Sequence, residues 1–140
     1  MRVLVIDDEP DVLLLCRVNL QYAGHEVLEA ADGERGLELA TTTDPDLILL
    51  DVMLPERDGI SILRELAGNP ATAATPVVLL TAKAQLEDQL RGWRAGCSDY
   101  VTKPFSPGAL SELIVSIQAM SNEQRRTRRE RAIEELAGAR

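Results

Sequence analysis

Four short apolar runs in this 140-residue chain each end in residues able to do chemistry. Val3-Leu4-Val5-Ile6 leads into Asp7, Asp8 and Glu9, and Leu47-Ile48-Leu49-Leu50 leads into Asp51. Pro76-Val77-Val78-Leu79-Leu80 is followed by Thr81 and the small Ala82, and Tyr100-Val101 by Thr102, Lys103 and Pro104. Carboxylates gathered at one place repel one another unless a proton or a cation joins them. Hard oxygen donors at a partly wet rim suit Mg²⁺, which keeps several waters and takes one or two carboxylates plus phosphate oxygens. Mn²⁺ is the alternative ion. Beside such an ion, Asp51 can act as a nucleophile toward a phosphoryl group and form an acyl phosphate. The Lys103 ammonium and the Thr81 hydroxyl would then meet the charge on the transferring group. Each residue also has a plainer reading. Asp7-Asp8 and Thr81 could cap helices, and Lys103 could be an ordinary surface lysine.

Such chemistry needs the four run ends on one rim, and the pattern of elements predicts this. Strands are expected at Val3–Ile6, Glu26–Glu29 (near an edge), Asp46–Leu50, Pro76–Leu80 and Asp99–Val101. Helices are expected from Pro10 to about Ala23 (stopped by Gly24), from Gly33 to about Ala40 (capped by Asp32), from about Asp58 to Ala67, from about Gln85 to Ala95 (ended by Gly96), and from near Ser106. Continuous apolar strands joined by crossover helices predict an α/β fold with a parallel sheet covered on both faces. Right-handed crossovers favour a doubly wound sheet, in which ligands sit beyond the carboxyl ends of the strands.

Composition narrows the function classes. Residues 1–120 hold nine Lys or Arg against nineteen Asp or Glu, whereas residues 121–140 hold six against four. An acidic body repels nucleic-acid phosphates and attracts cations. Cys16 and Cys97 are too few for a disulfide framework and lack metal-ligand spacing. The N-terminus turns acidic after six residues, unlike a signal peptide, and no run approaches the length of a membrane helix. The expectation is a soluble, cytoplasmic protein that contacts no membrane.

The stretches VLVIDDEPDV, LILLDVMLPERDG, VVLLTA and AGCSDYVTKPF, in this order and spacing, resemble the receiver domain of two-component response regulators. The resemblance covers residues 1 to about 120 and leaves 121–140 as a helical C-terminal extension or linker. It implies a five-stranded flavodoxin-like sheet of order 2-1-3-4-5, with helices on both faces. It implies Asp51 as phosphoacceptor, and Mg²⁺ bound by Asp8, Asp51 and the Met53 backbone carbonyl, with Asp7 assisting, often through water. Lys103, Thr81 and the Ala82 backbone N–H would contact phosphoryl oxygens, and the bond before Pro104 would be cis. Thr81 and Tyr100 would couple phosphorylation to the surface of the fourth helix, last strand and fifth helix. Met53 and Lys83 would tune dephosphorylation, and the apolar Met53 suggests an acyl-phosphate lifetime of minutes or longer. The phosphodonor would be a histidine kinase or histidine phosphotransfer protein. The output would be a protein partner or an effector domain beyond this chain. Such a domain catalyses only its own phosphorylation and dephosphorylation.

Several features keep two readings. On the first helix, Val12, Cys16 and Leu20 form a core stripe with Leu15 beside them, which leaves Leu13, Leu14 and Val18 outside it. Those three are either a docking patch for the phosphodonor or an adventitious apolar surface. Trp93 is either core packing or a partner contact. The tail from Ser121 is expected to continue the last helix, as a solvated linker, a homodimerising extension or, third, an arginine cluster for nucleic acid. His25 lies in a turn away from the rim and is not catalytic. An aspartyl-phosphate-type phosphatase is the enzyme alternative, but those enzymes place an Asp-x-Asp pair after their first strand, and here Asp7 and Asp8 are adjacent.

Overall fold

The computed structural model describes residues 1–83 and 85–140. Its five strands are β1 (Arg2–Ile6), β2 (Glu26–Ala30), β3 (Leu47–Asp51), β4 (Val77–Thr81) and β5 (Asp99–Thr102). Helices α1 (Pro10–Tyr22), α2 (Gly33–Thr42), α3 (Gly59–Gly68), α4 (Leu86–Ala95) and α5 (Pro107–Ala119) alternate with them, and α6 (Asn122–Ala139) follows. All strand pairs are parallel, in the order β2-β1-β3-β4-β5. This is the expected doubly wound, flavodoxin-like strand order.

Strand alternation divides the core in two. Leu4, Ile6, Ile48, Leu50, Val77 and Leu79 face α2, α3 and α4, whereas Val3, Val5, Leu47, Leu49, Val78 and Leu80 face α1 and α5. Because both faces are buried, the central strands read as unbroken apolar runs. Side-chain caps start the helices where the sequence signals them: Asp32 accepts from the Arg35 N–H, Asp58 from Ile60 and Ser106 from Ala109. No helix among the described residues is long and apolar enough to cross a membrane.

Two expectations need correction. Leu15 is exposed, and Leu13 packs instead against the α1–α5 core, because α5 meets α1 from the Leu13 side of the Cys16–Leu20 stripe. The last helix is not continuous either. It ends at Ala119 with an extended Met120. Ser121 then opens α6 with a capping box: its hydroxyl accepts from the Gln124 N–H while the Gln124 side chain accepts from the Ser121 N–H. A strong N-cap at this position competes with helix propagation, and α6 turns back onto α4.

Candidate functional site

β1 and β3 are neighbours, so the carboxylates that follow them meet at the carboxyl rim. One oxygen from each of Asp7, Asp8 and Asp51 lies within 4.8 Å of the others. Asp7 and Asp51 are buried and Asp8 is exposed. Backbone amides orient the buried pair: Asp7 Oδ1 accepts from the Glu9 N–H at 2.9 Å, and Asp51 Oδ1 from the Met53 N–H at 3.0 Å. Lys103 reaches across from the end of β5. Its Nζ donates to Asp7 Oδ2 at 2.8 Å, Glu9 Oε1 at 3.0 Å and Asp51 Oδ2 at 3.2 Å.

Burial raises the Asp7 and Asp51 carboxyls above the ordinary value, since the charged forms lose water, and Lys103 offsets only part of this. Burial alone would lower the Lys103 ammonium, but the carboxylates around it outweigh that and raise it. One ammonium therefore serves three carboxylates directly, with Asp8 alongside. The all-oxygen donor set and its surplus negative charge suit a hard divalent cation. The Met53 side chain stands half exposed at the mouth of the site.

At the other end of the rim, Thr81 is wholly buried, and its Oγ1 accepts from the Lys83 N–H at 3.1 Å. The Lys83 carbonyl accepts from the Tyr100 hydroxyl at 2.7 Å. Burial is the main reason the Tyr100 phenol is pushed up to about 12, so it stays a donor at neutral pH. Its ring lies against Gly92, where an added Cβ would sit 2.8 Å from the ring and 2.8 Å from Leu79. Ala82 is exposed beside Thr81. The Lys103 N–H donates to the Thr81 carbonyl at 2.8 Å, and the Lys103–Pro104 peptide is cis.

Sequence reasoning gave no site role to two residues that shape this rim. Glu9 is Lys103's third partner, and its signal was the run of three acids after β1. Gly59 lets α3 start directly on the end of β3: an added Cβ would fall 2.3 Å from the Asp51 carbonyl oxygen. Its signal was the Asp58-Gly59 pair, seven and eight residues after Asp51. Of the remaining candidates, Leu14 and Val18 are exposed on α1, Trp93 is buried in the core, and His25 lies beside the Met1 amine, away from the rim.

Comparison with known proteins gives a family match. The family model described as "Response regulator receiver domain" matches residues 3–115. The chain is 41% identical over 119 residues to the "DNA-binding dual master transcriptional regulator RpaA" of Synechocystis, covering 85% of this chain and 48% of that protein. It thus spans about half the length of that relative. It is 36% identical over 118 residues to "Protein PilH" of Pseudomonas aeruginosa, covering 84% of this chain and 98% of that one. Among solved structures, the beryllofluoride-activated N-terminal receiver domain of Klebsiella pneumoniae RstA superposes with a TM-score of 0.80 at 29% identity, covering 86% of this chain and 100% of that one.

Proposed function

Because the chain belongs to the response regulator receiver family, whose members are typically non-enzymatic signalling domains, we propose that Asp51 accepts a phosphoryl group from a histidine kinase or histidine phosphotransfer protein. The observation that carries this reading is the convergence of Asp7, Asp8 and Asp51 with Lys103 at one rim. Asp8 and Asp51 would hold Mg²⁺ directly, with the Met53 carbonyl and with Asp7 often through water, and the ion supplies the positive charge that lets carboxylate and phosphoryl oxygens approach. As the donor's P–N bond breaks, an Asp51 oxygen forms the new P–O bond. Lys103 shifts from the carboxylates to a phosphoryl oxygen. The Thr81 hydroxyl turns from the Lys83 N–H toward another, and the Ala82 N–H takes a third. Loss of the Thr81–Lys83 bond disturbs the peptide that holds Tyr100, which carries the change to α4 and β5. The exposed Leu14 and Val18 offer the phosphodonor an apolar landing surface on α1, the helix that leaves the site.

The output is a protein partner or an effector domain: the relatives include a DNA-binding regulator of about twice the matched length and Protein PilH, which is matched over 98% of its length. The test is incubation with a small acyl phosphate and Mg²⁺, read by intact mass. One phosphoryl group is expected on the native chain, and none on Asp51→Asn or after chelation. Equal labelling of Asp51→Asn would reject Asp51 as the acceptor.

A further inference from the structure

Trp93, the chain's only tryptophan, is buried in α4 beneath α6. The Arg128 guanidinium lies 5.7 Å from its ring centroid, and donates to the Ser98 carbonyl at 2.7 Å and to Asp99 Oδ2 at 2.9 Å. Arg129 donates to the Cys97 carbonyl at 2.9 Å, and Arg125 to the carbonyls of Ile117 and Met120. Arg140, at the far end, pairs with Glu87 in the first turn of α4. Between these anchors Ala132, Ile133 and Leu136 pack on the cluster that contains Trp93. The arginines thus fold α6 antiparallel onto the α4–β5 face. These four arginines are committed to this chain's own carbonyls and carboxylates, which weakens the nucleic-acid reading of the tail.

This cover is lightly held. No residue of α6 is fully buried. Its ion pairs are partly solvated, and such pairs contribute little each. An element held by few buried contacts opens without unfolding the core. Both anchor regions also touch the switching residues. Asp99 precedes Tyr100 in β5, and Trp93 follows Gly92, against which the Tyr100 ring packs. Lys83 carries the Thr81 and Tyr100 bonds together.

We propose that α6 is an intramolecular ligand of the α4–β5 face, docked while Asp51 is unmodified and released on phosphorylation, which uncovers Trp93 and the Cys97–Asp99 turn for a protein partner that presents a basic amphipathic helix. The proposal rests on the phosphoacceptor reading above. Its free-energy basis is differential: α6 binds the unphosphorylated arrangement of α4 and β5 more tightly than the phosphorylated one.

The test uses the full chain with a small acyl phosphate and Mg²⁺. Intact mass reports Asp51, iodide quenching reports Trp93, and amide exchange reports 122–139. In phosphorylated protein, quenching rises severalfold and α6 amides lose protection, while β1 and β3 amides keep theirs. An Arg128→Ala, Leu136→Asp variant shows the high quenching without phosphate. By reciprocity it binds beryllofluoride more tightly, by at most the factor with which beryllofluoride weakens α6 docking in the native chain. Phosphorylated protein with unchanged quenching and exchange overturns the release, as does a variant with freed α6 and native beryllofluoride affinity. Absence of phosphate on Asp51 instead defeats the functional reading, and the release with it.

Discussion

Two helices on opposite faces of the sheet start beside the same rim, and the chain finishes them differently. α1 begins directly after Asp7–Glu9 and leaves Leu14, Leu15 and Val18 uncovered. α4 begins beyond Thr81 and carries a larger apolar side chain, Trp93, yet that side chain is roofed by α6. On the reading proposed above, the uncovered patch is a landing surface for the phosphodonor, and the covered one is silent until α6 moves. On that reading the difference separates an input face from an output face on a domain whose two cores are otherwise alike.

The largest effect that would sharpen this contrast is on the α1 side. Leu14→Asp together with Val18→Asp should reduce transfer from a protein phosphodonor about a hundredfold, the size of an interface hot spot, while labelling by a small acyl phosphate stays native. Equal loss with both donors would break the contrast. On the α4 side, Gly92→Ala drives a methyl group into Leu79 and the Tyr100 ring. It should cost about 1–2 kcal/mol in denaturant unfolding as an overpacked site, with transfer through α1 unaffected.

The smallest effect concerns the rim common to both faces. Folding raises Asp51 above the ordinary carboxylate value of 3.8 because burial disfavours its charge. Between that value and the raised one, the native state binds more protons than the unfolded chain, so this group's contribution to stability falls as pH rises. Asp51→Asn should therefore be more stable than the native sequence at neutral pH without metal, because the amide carries no charge to desolvate. The advantage should vanish as pH drops below 3.8. Lys103 is raised and remains protonated throughout that window, so it does not alter the sign. Saturating Mg²⁺ should erase the advantage, because a ligand of the native state at a hundred times its Kd adds about 2.7 kcal/mol. Thermal melts across pH, with and without Mg²⁺, measure all of this.

Most of the sheet and rim was legible in the residues themselves. Strand burial on both faces writes continuous apolar runs, and the reactive residues follow those runs directly, so Asp7, Asp8, Asp51, Thr81 and Lys103 could be named before any contact was known. Helix ends were legible where a local side chain decides them, as at Asp32, Asp58 and Ser106. Leu15 was misplaced because a wheel gives a stripe but not the direction from which the neighbouring helix approaches.

What only tertiary structure decided were the contacts between residues far apart in the chain. Local pattern could not say that Lys103 would bind Glu9 as well as the two aspartates, or that Gly59 would have to clear the Asp51 carbonyl. The tail is the sharpest case. Its weak apolar pattern and many arginines read as a solvated helix, because a periodicity scan sees one helix at a time. Its partners, the carbonyls of Cys97 and Ser98 and the ring of Trp93, lie about thirty residues away. Local propensity made residues 122–139 helical, and the shape of the folded α4–β5 face, with the carbonyls it offers, determined where that helix would lie.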